Sequence, residues 1–214
     1  MTQKTIVKNL SQKYNNDKAG PLRPTAVRRR AAARVACVQL GYSAEVTGQP
    51  LLEAMPAFLD NYADDIARQL RVKKMDSEHF YAVVSGVNNR RVELDQMIAD
   101  GLSEGWTLMR LARTELVILR AGIFELDGMP HIPARAVLSE YASIADAFNA
   151  DVRFVNALLD GLARRKLRTA EMSAPGNPAS NKGRLYVADD SGTTKLFFKD
   201  SAGTAPFTNV TSSG

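Results

Sequence analysis

One cysteine, two histidines and one tryptophan are all that the 214 residues contain of those types. With Cys37 alone, no disulfide closes within the chain, and a reducing compartment is its natural setting. Cys37, His79 and His131 are too few and too scattered to make a metal-ligand cluster. Cys37 also has no histidine nearby in sequence to activate it, so a buried, inert thiol is expected. No run approaches the ~18 consecutive apolar residues of a membrane helix. No apolar segment of about 7 to 15 residues comes after the opening lysines either, so a secretory leader is not expected. A glycine-rich phosphate loop after a strand is missing as well. Asp64-Asp65 and Asp189-Asp190 read as a solvated helix face and a turn. Together these shortages predict a cytoplasmic protein without metal or cofactor, and not an enzyme.

What the chain does have is apolar content and a lopsided charge. Hydrophobic residues make up 45%, enough for a real core. The net charge of +5 is concentrated at the front, where residues 1–34 carry nine lysines and arginines against Asp17, so the remainder is mildly acidic. A basic segment on an acidic body is the electrostatic footprint of a polyanion partner.

Residues 1–24 are rich in Lys, Asn and Gln and closed by prolines, which predicts a mobile basic arm. Six helices are expected between residues 25 and 168. The first, with Thr25 as its N-cap, carries an apolar stripe of Val27, Ala31, Val35, Val38 and Tyr42. The second runs through Phe58, Tyr62, Ile66 and Leu70, beginning near Pro56. A third carries Phe80, Val83, Val84, Val87, Leu94 and Ile98 behind a cap at Asp76 or Ser77, and ends around Gly101 to Gly105. The most apolar spans Leu111 to Leu126, before Asp127-Gly128. Pro133 opens a helix with Val137, Tyr141, Ile144 and Phe148, and the last holds Phe154, Val155, Leu158, Leu159 and Leu162. The fold class expected is all-α. Residues 171–182 read as a linker, and 183–214 as a small β-type tail, a short hairpin or meander marked by GRLYVA, TKLFFKD and APFTNV.

Three segments carry a family resemblance: RRRAAARVACVQLGY at 28–42, RTELVILRAGIFEL at 113–126 succeeded by Ile-Pro and VLSEYASIADAF, and FVNALLDGLAR at 154–164. In order and spacing they resemble the bacterial NusB transcription antitermination factors, over roughly residues 25–168. Ser139 and Ala157 depart from the family's usual Asn and Gly. The resemblance implies two small three-helix bundles and binding of single-stranded boxA-like RNA. It also implies pairing with NusE, a small-subunit ribosomal protein, within the antitermination complex of RNA polymerase. Arg29, Arg30, Arg34, Tyr42 and Phe154 would contact RNA, and Glu115 matches a position on the NusE side.

The residues argue partly the same way. Arg28, Arg29 and Arg30 with Arg34 one turn later are more cations than a helix needs for solubility, and guanidinium groups pair with phosphate and stack on bases. A solvated basic face is the plainer alternative. Phe154 fits either the core or a base-stacking surface. Tyr42 is in phase with the core stripe, yet its hydroxyl can reach a ligand. Glu115 reads equally as a local electrostatic neighbour. Two other readings stay open. One is the NusB-like helical domain of ribosomal RNA cytosine methyltransferases without its catalytic domain. The other is a phage-encoded structural or antitermination variant, suggested by a tail similar to hairpins of virion surface proteins.

Overall fold

In a computed structural model of the chain, residues 23–171 and the strand segments 184–190, 193–199 and 204–206 are described, with side chains over 23–165. The basic arm up to residue 22 and the linker lie outside the described residues. The chain divides into two units, residues 1–162 and 163–214.

The helical region is all-α, with seven helices: α1 (Thr25–Thr47), α2 (Leu51–Gln69), α3 (Ser77–Asn89), α4 (Arg91–Gly101), α5 (Arg113–Gly128), α6 (Ala134–Ala147) and α7 (Val152–Glu171). A 3-10 turn, Leu108–Arg110, precedes α5. The count exceeds the expected six because the stripe from Phe80 to Ile98 is broken at Arg90. That residue leaves the helical region at φ −108° and ψ 18°, after two asparagines that favour helix ends. Two starts also differ from expectation. Pro24, not Thr25, occupies the N-cap of α1, and its carbonyl accepts from Arg28 N–H. Helix α2 begins at Leu51, because Pro50 at φ −57° launches it, and Pro56 sits within. The cap of α3 is Asp76, whose carboxylate accepts from His79 N–H at 3.2 Å.

Helix α1 is not the one-sided helix its stripe predicted. All ten residues from Ala31 to Leu40 are buried, whereas Val27 at one end is exposed and Tyr42 at the other is half-buried. Four alanines here let neighbours close in on every side, and Arg34 and Gln39 are buried along with them. Helices α2, α3 and α5 pack around it. Helix α5 is the second central element, with Val117 to Ile123 buried without interruption. The stripes of α6 and α7 behave as expected, since Val137, Tyr141, Ile144, Phe148, Val155, Leu158 and Leu159 are all buried.

Two helices end in sharp turns that redirect the chain. After α2, Arg71 adopts φ 54°, Val72 N–H reaches Ala67 O and Arg71 N–H reaches Arg68 O. After α6, Asn149 adopts φ 54° with the same pattern to Ala145 and Asp146. Each is a left-handed turn that satisfies the last carbonyls of its helix. In the second unit the strands β1 (Arg184–Asp190), β2 (Thr193–Lys199) and β3 (Thr204–Pro206) pair antiparallel in that order, with Arg184 opposite Lys199 and Phe197 opposite Pro206.

Close approach of α1 and α5 depends on Gly41. A Cβ there would lie 2.6 Å from Val117 Cγ1, and a helical valine has little rotamer freedom with which to yield. Gly41→Ala should therefore destabilise the domain by ~1–3 kcal/mol, outweighing the ~1 kcal/mol gained in helix propensity. Urea denaturation of the two proteins checks this; a stabilised variant would refute the contact.

Candidate functional site

A charged cluster is buried where α1, α3, α5 and α6 meet. Glu125 of α5 has no exposed surface, and Arg34 of α1 is 3% exposed. Arg34 Nε donates to Glu125 Oε1 at 2.9 Å and Nη2 to Oε2 at 2.7 Å, a bidentate pair. Tyr141 OH donates to Oε1 at 2.8 Å. His79 Nε2 lies 2.9 Å from the same oxygen, and against an ionised carboxylate the Nε2–H tautomer donates. Glu140 Oε2 is 3.9 Å from Arg34 Nη1, and its Oε1 accepts from Arg23 at 2.6 Å. Burial raises the Glu125 pKa, but the bonds from His79 and Arg34 and the Arg34 charge outweigh it and hold it at about 2. Burial lowers that of Arg34, and the bond and charge of Glu125 more than reverse this. Arg34 is thus a core residue with its guanidinium committed, and the expectation that it faces RNA is corrected. His79, which stands alone in sequence, is a buried member of this cluster.

The remaining arginines of α1 gather on the connection after α2. Arg28 donates to the Leu70 carbonyl at 3.2 Å and to that of Arg71, placing a cation on the exposed C-terminal carbonyls of α2. Arg29 Nε donates to Lys74 O at 3.2 Å, and Arg29 O accepts from Asp76 N–H at 3.0 Å. Arg30 is the loosest, 46% exposed with Nε 3.8 Å from Asp76 Oδ2. Arg28 is half-buried, while Arg29 and Arg30 face solvent. Tyr42 is half-buried at the far end of α1 and makes no hydrogen bond within the described residues.

Two residues far apart in sequence come together at the start of α7. Glu115 accepts from Ala112 N–H at 3.0 Å through Oε2 and from Asp151 N–H at 3.3 Å through Oε1. Asp151 in turn caps α7, its Oδ1 accepting from Arg153 N–H and Phe154 N–H, each at 3.0 Å. Glu115 therefore holds the turn that presents Phe154. Phe154 is half-buried, packed on the core at one edge and stacked on Trp106 with ring centroids 6.4 Å apart and 29° between planes. Trp106, with the Arg110 guanidinium 4.8 Å from its centroid, was not singled out from the sequence. As the one tryptophan, placed beside Gly105 between two helices, it was the signal available.

On the opposite side of α5, Arg120 is buried and binds Asp95 (2.6 and 2.9 Å) and Glu45 (2.8 Å). A cavity of about 400 Å³ beside it is lined by Cys37, Glu45, Val84, Arg91 and Val117 among others. The Cys37 thiol is buried, and burial and Glu125 push its pKa up, away from nucleophilic chemistry. Among the described residues no group of three His, Cys, Asp or Glu side chains is placed to hold a metal, and no helix is long and apolar enough to cross a membrane.

An all-helical core clamped by a buried Arg–Glu pair carries arginines at one helix start and aromatics at another. Residues 31–164 match the model of the NusB family. Transcription antitermination protein NusB of Nitrobacter winogradskyi is 37% identical over 147 residues, covering 68% of this chain and 91% of that protein. The NusB of Rhizobium johnstonii is 37% identical over 153 residues, 71% of this chain and 95% of its own. That of Novosphingobium aromaticivorans is 39% identical over 137 residues, 63% and 93%. A chain in a crystal structure of a plectonemic RNA supercoil shares the fold at a TM-score of 0.55 and 22% identity, over 65% of this chain and 97% of that one. The chain belongs to the NusB family of transcription antitermination proteins, which are not enzymes.

The cluster has a pH signature. Unfolded, Glu125 titrates near the ordinary ~4.3; folded, it titrates at about 2. A depressed folded pKa contributes stability that is present above the unfolded value and lost as pH falls through the folded one. Stability should therefore decline from roughly pH 4.5 to 2, and Glu125→Gln should flatten that decline. At pH 7 the variant should lose ~3–5 kcal/mol, because Arg34 is left buried without its main counter-charge. Urea midpoints across this pH range decide it, and an unchanged midpoint at pH 7 would show that the cluster does not determine the core.

Proposed function

We propose that this protein is an RNA-binding adaptor of transcription antitermination, acting in the cytoplasm. It binds single-stranded boxA-like RNA together with the ribosomal protein NusE and joins the antitermination complex of RNA polymerase. The observation that carries this reading is the start of α7, where Glu115 and Asp151 fix a half-exposed Phe154 beside a basic surface. Family membership supplies the antitermination context. Arg29 and Arg30 face solvent and supply phosphate contacts, and Tyr42 adds a ring and a hydroxyl. Arg28 contributes its charge from a half-buried position on the end of α2. Arg34 acts through the core. Glu115 serves the NusE side through the turn it holds. The RNA-binding domain is the helical region over residues 25–170.

RNA affinity should fall with salt at a slope of roughly −0.7 per phosphate neutralised on a single strand. Arg29→Ala combined with Arg30→Ala should flatten the slope, whereas deletion of residues 172–214 should leave it unchanged. A double variant that binds boxA-like RNA like the parent throughout a salt titration would place the RNA elsewhere. Phe154→Ala should cost ~1–3 kcal/mol of binding if the ring stacks a base. If its role is in the core, the loss appears in folding stability with affinity unchanged in the folded fraction, so calorimetric binding and thermal melting separate the two.

A further inference from the structure

Trp106 is 49% exposed although it is the largest apolar side chain in the molecule, and neighbouring Met109 is 97% exposed. The indole is nonetheless held. Gly105 at φ 80° turns the backbone, and Trp106 N–H reaches Ser103 O at 3.0 Å. Phe154 stacks on the ring, and Arg110 lies over it with its own Nη1 anchored 3.0 Å from Gly105 O. A flat aromatic held by its neighbours yet open to solvent loses little conformational freedom when a second flat group stacks against the cluster. The local charge selects that group. Arg110, Arg113 and Arg153 are exposed, and Arg113 and Arg153 have no carboxylate partner among the described residues. The carboxylates of Glu115 and Asp151 are engaged by backbone N–H groups at the starts of α5 and α7.

We infer that Trp106, with Arg110, forms a second base-stacking position next to Phe154, taking one unpaired nucleobase of a single-stranded RNA while Arg113 and Arg153 contact the flanking phosphates. This rests on the proposed RNA ligand and extends its path to a residue that the arginine-rich helix and Phe154 do not include. Aromatic stacking tolerates any base, so the position contributes affinity rather than sequence choice.

Trp106 is the chain's one tryptophan, so its emission reports this position alone. The full chain is titrated with a short single-stranded boxA-like RNA, monitoring both indole emission and the anisotropy of a dye on the RNA. Emission should be quenched along the anisotropy curve. Trp106→Ala should weaken binding by roughly 5- to 150-fold and Trp106→Phe by much less, with both variants melting like the parent. RNA that binds without changing emission, and binds Trp106→Ala as tightly as the parent, overturns this inference and leaves the proposed function standing. A parent that binds no RNA overturns both. If RNA affinity survives Trp106→Ala but binding of NusE is lost, the patch is a protein-docking surface and the inference fails.

Discussion

The bidentate contact of Arg34 with Glu125 is the constraint around which the domain is arranged. Two charges without solvent are costly unless each finds nearly all its partners, and here they do: the Glu125 carboxylate also receives Tyr141 OH at 2.8 Å and faces His79 at 2.9 Å. Those partners come from α1, α3 and α6 and converge on one residue of α5. Each helix must therefore sit at the rotation and depth that brings its donor within reach. Glu140 extends the cluster toward the surface by holding Arg23 at 2.6 Å, so the chain entering α1 is tied to α6 by the same chemistry.

That arrangement redistributes the arginine cluster. Four arginines within seven residues look like one basic face in a linear sequence, but at 100° per residue they point in different directions. Arg34 faces the core, Arg28 turns onto the carbonyl end of α2, and Arg29 and Arg30 remain for solvent. The run is thus half architecture and half surface. Helical phase already spreads the four around α1, and the packing decides which of those directions is core.

Helix type and the stripes of α6 and α7 were legible because periodicity is local, and so was the family, since its three segments keep their order. The central position of α1 was not. Its Ala-rich middle is buried on every side, and a stripe calculation presumes one open face. The break at Arg90 was hidden because the apolar positions on either side continue in phase. Glu125 was passed over as one letter inside an apolar run, although a carboxylate among Ile, Phe and Leu is itself an anomaly that demands a partner. The partner lies 91 residues away, a separation that one sequence does not reveal. Glu115 and Phe154 were considered separately for the same reason, since the Asp151 turn that joins them is a tertiary feature.

The two carboxylates at the start of α7 show how the same residue type serves surface and core differently. Glu125 is consumed by charge pairing in a dry interior. Glu115 and Asp151 instead satisfy the orphan N–H groups at two helix starts. In doing so they order a surface that also carries Arg110, Arg113 and Arg153. A lysine or arginine added there would raise the field but leave the backbone donors unsatisfied; an acid that caps a helix orders the turn. The patch thus combines an ordered backbone with three exposed arginines, and a polyanion with flat unpaired bases is a ligand class for which that combination is useful.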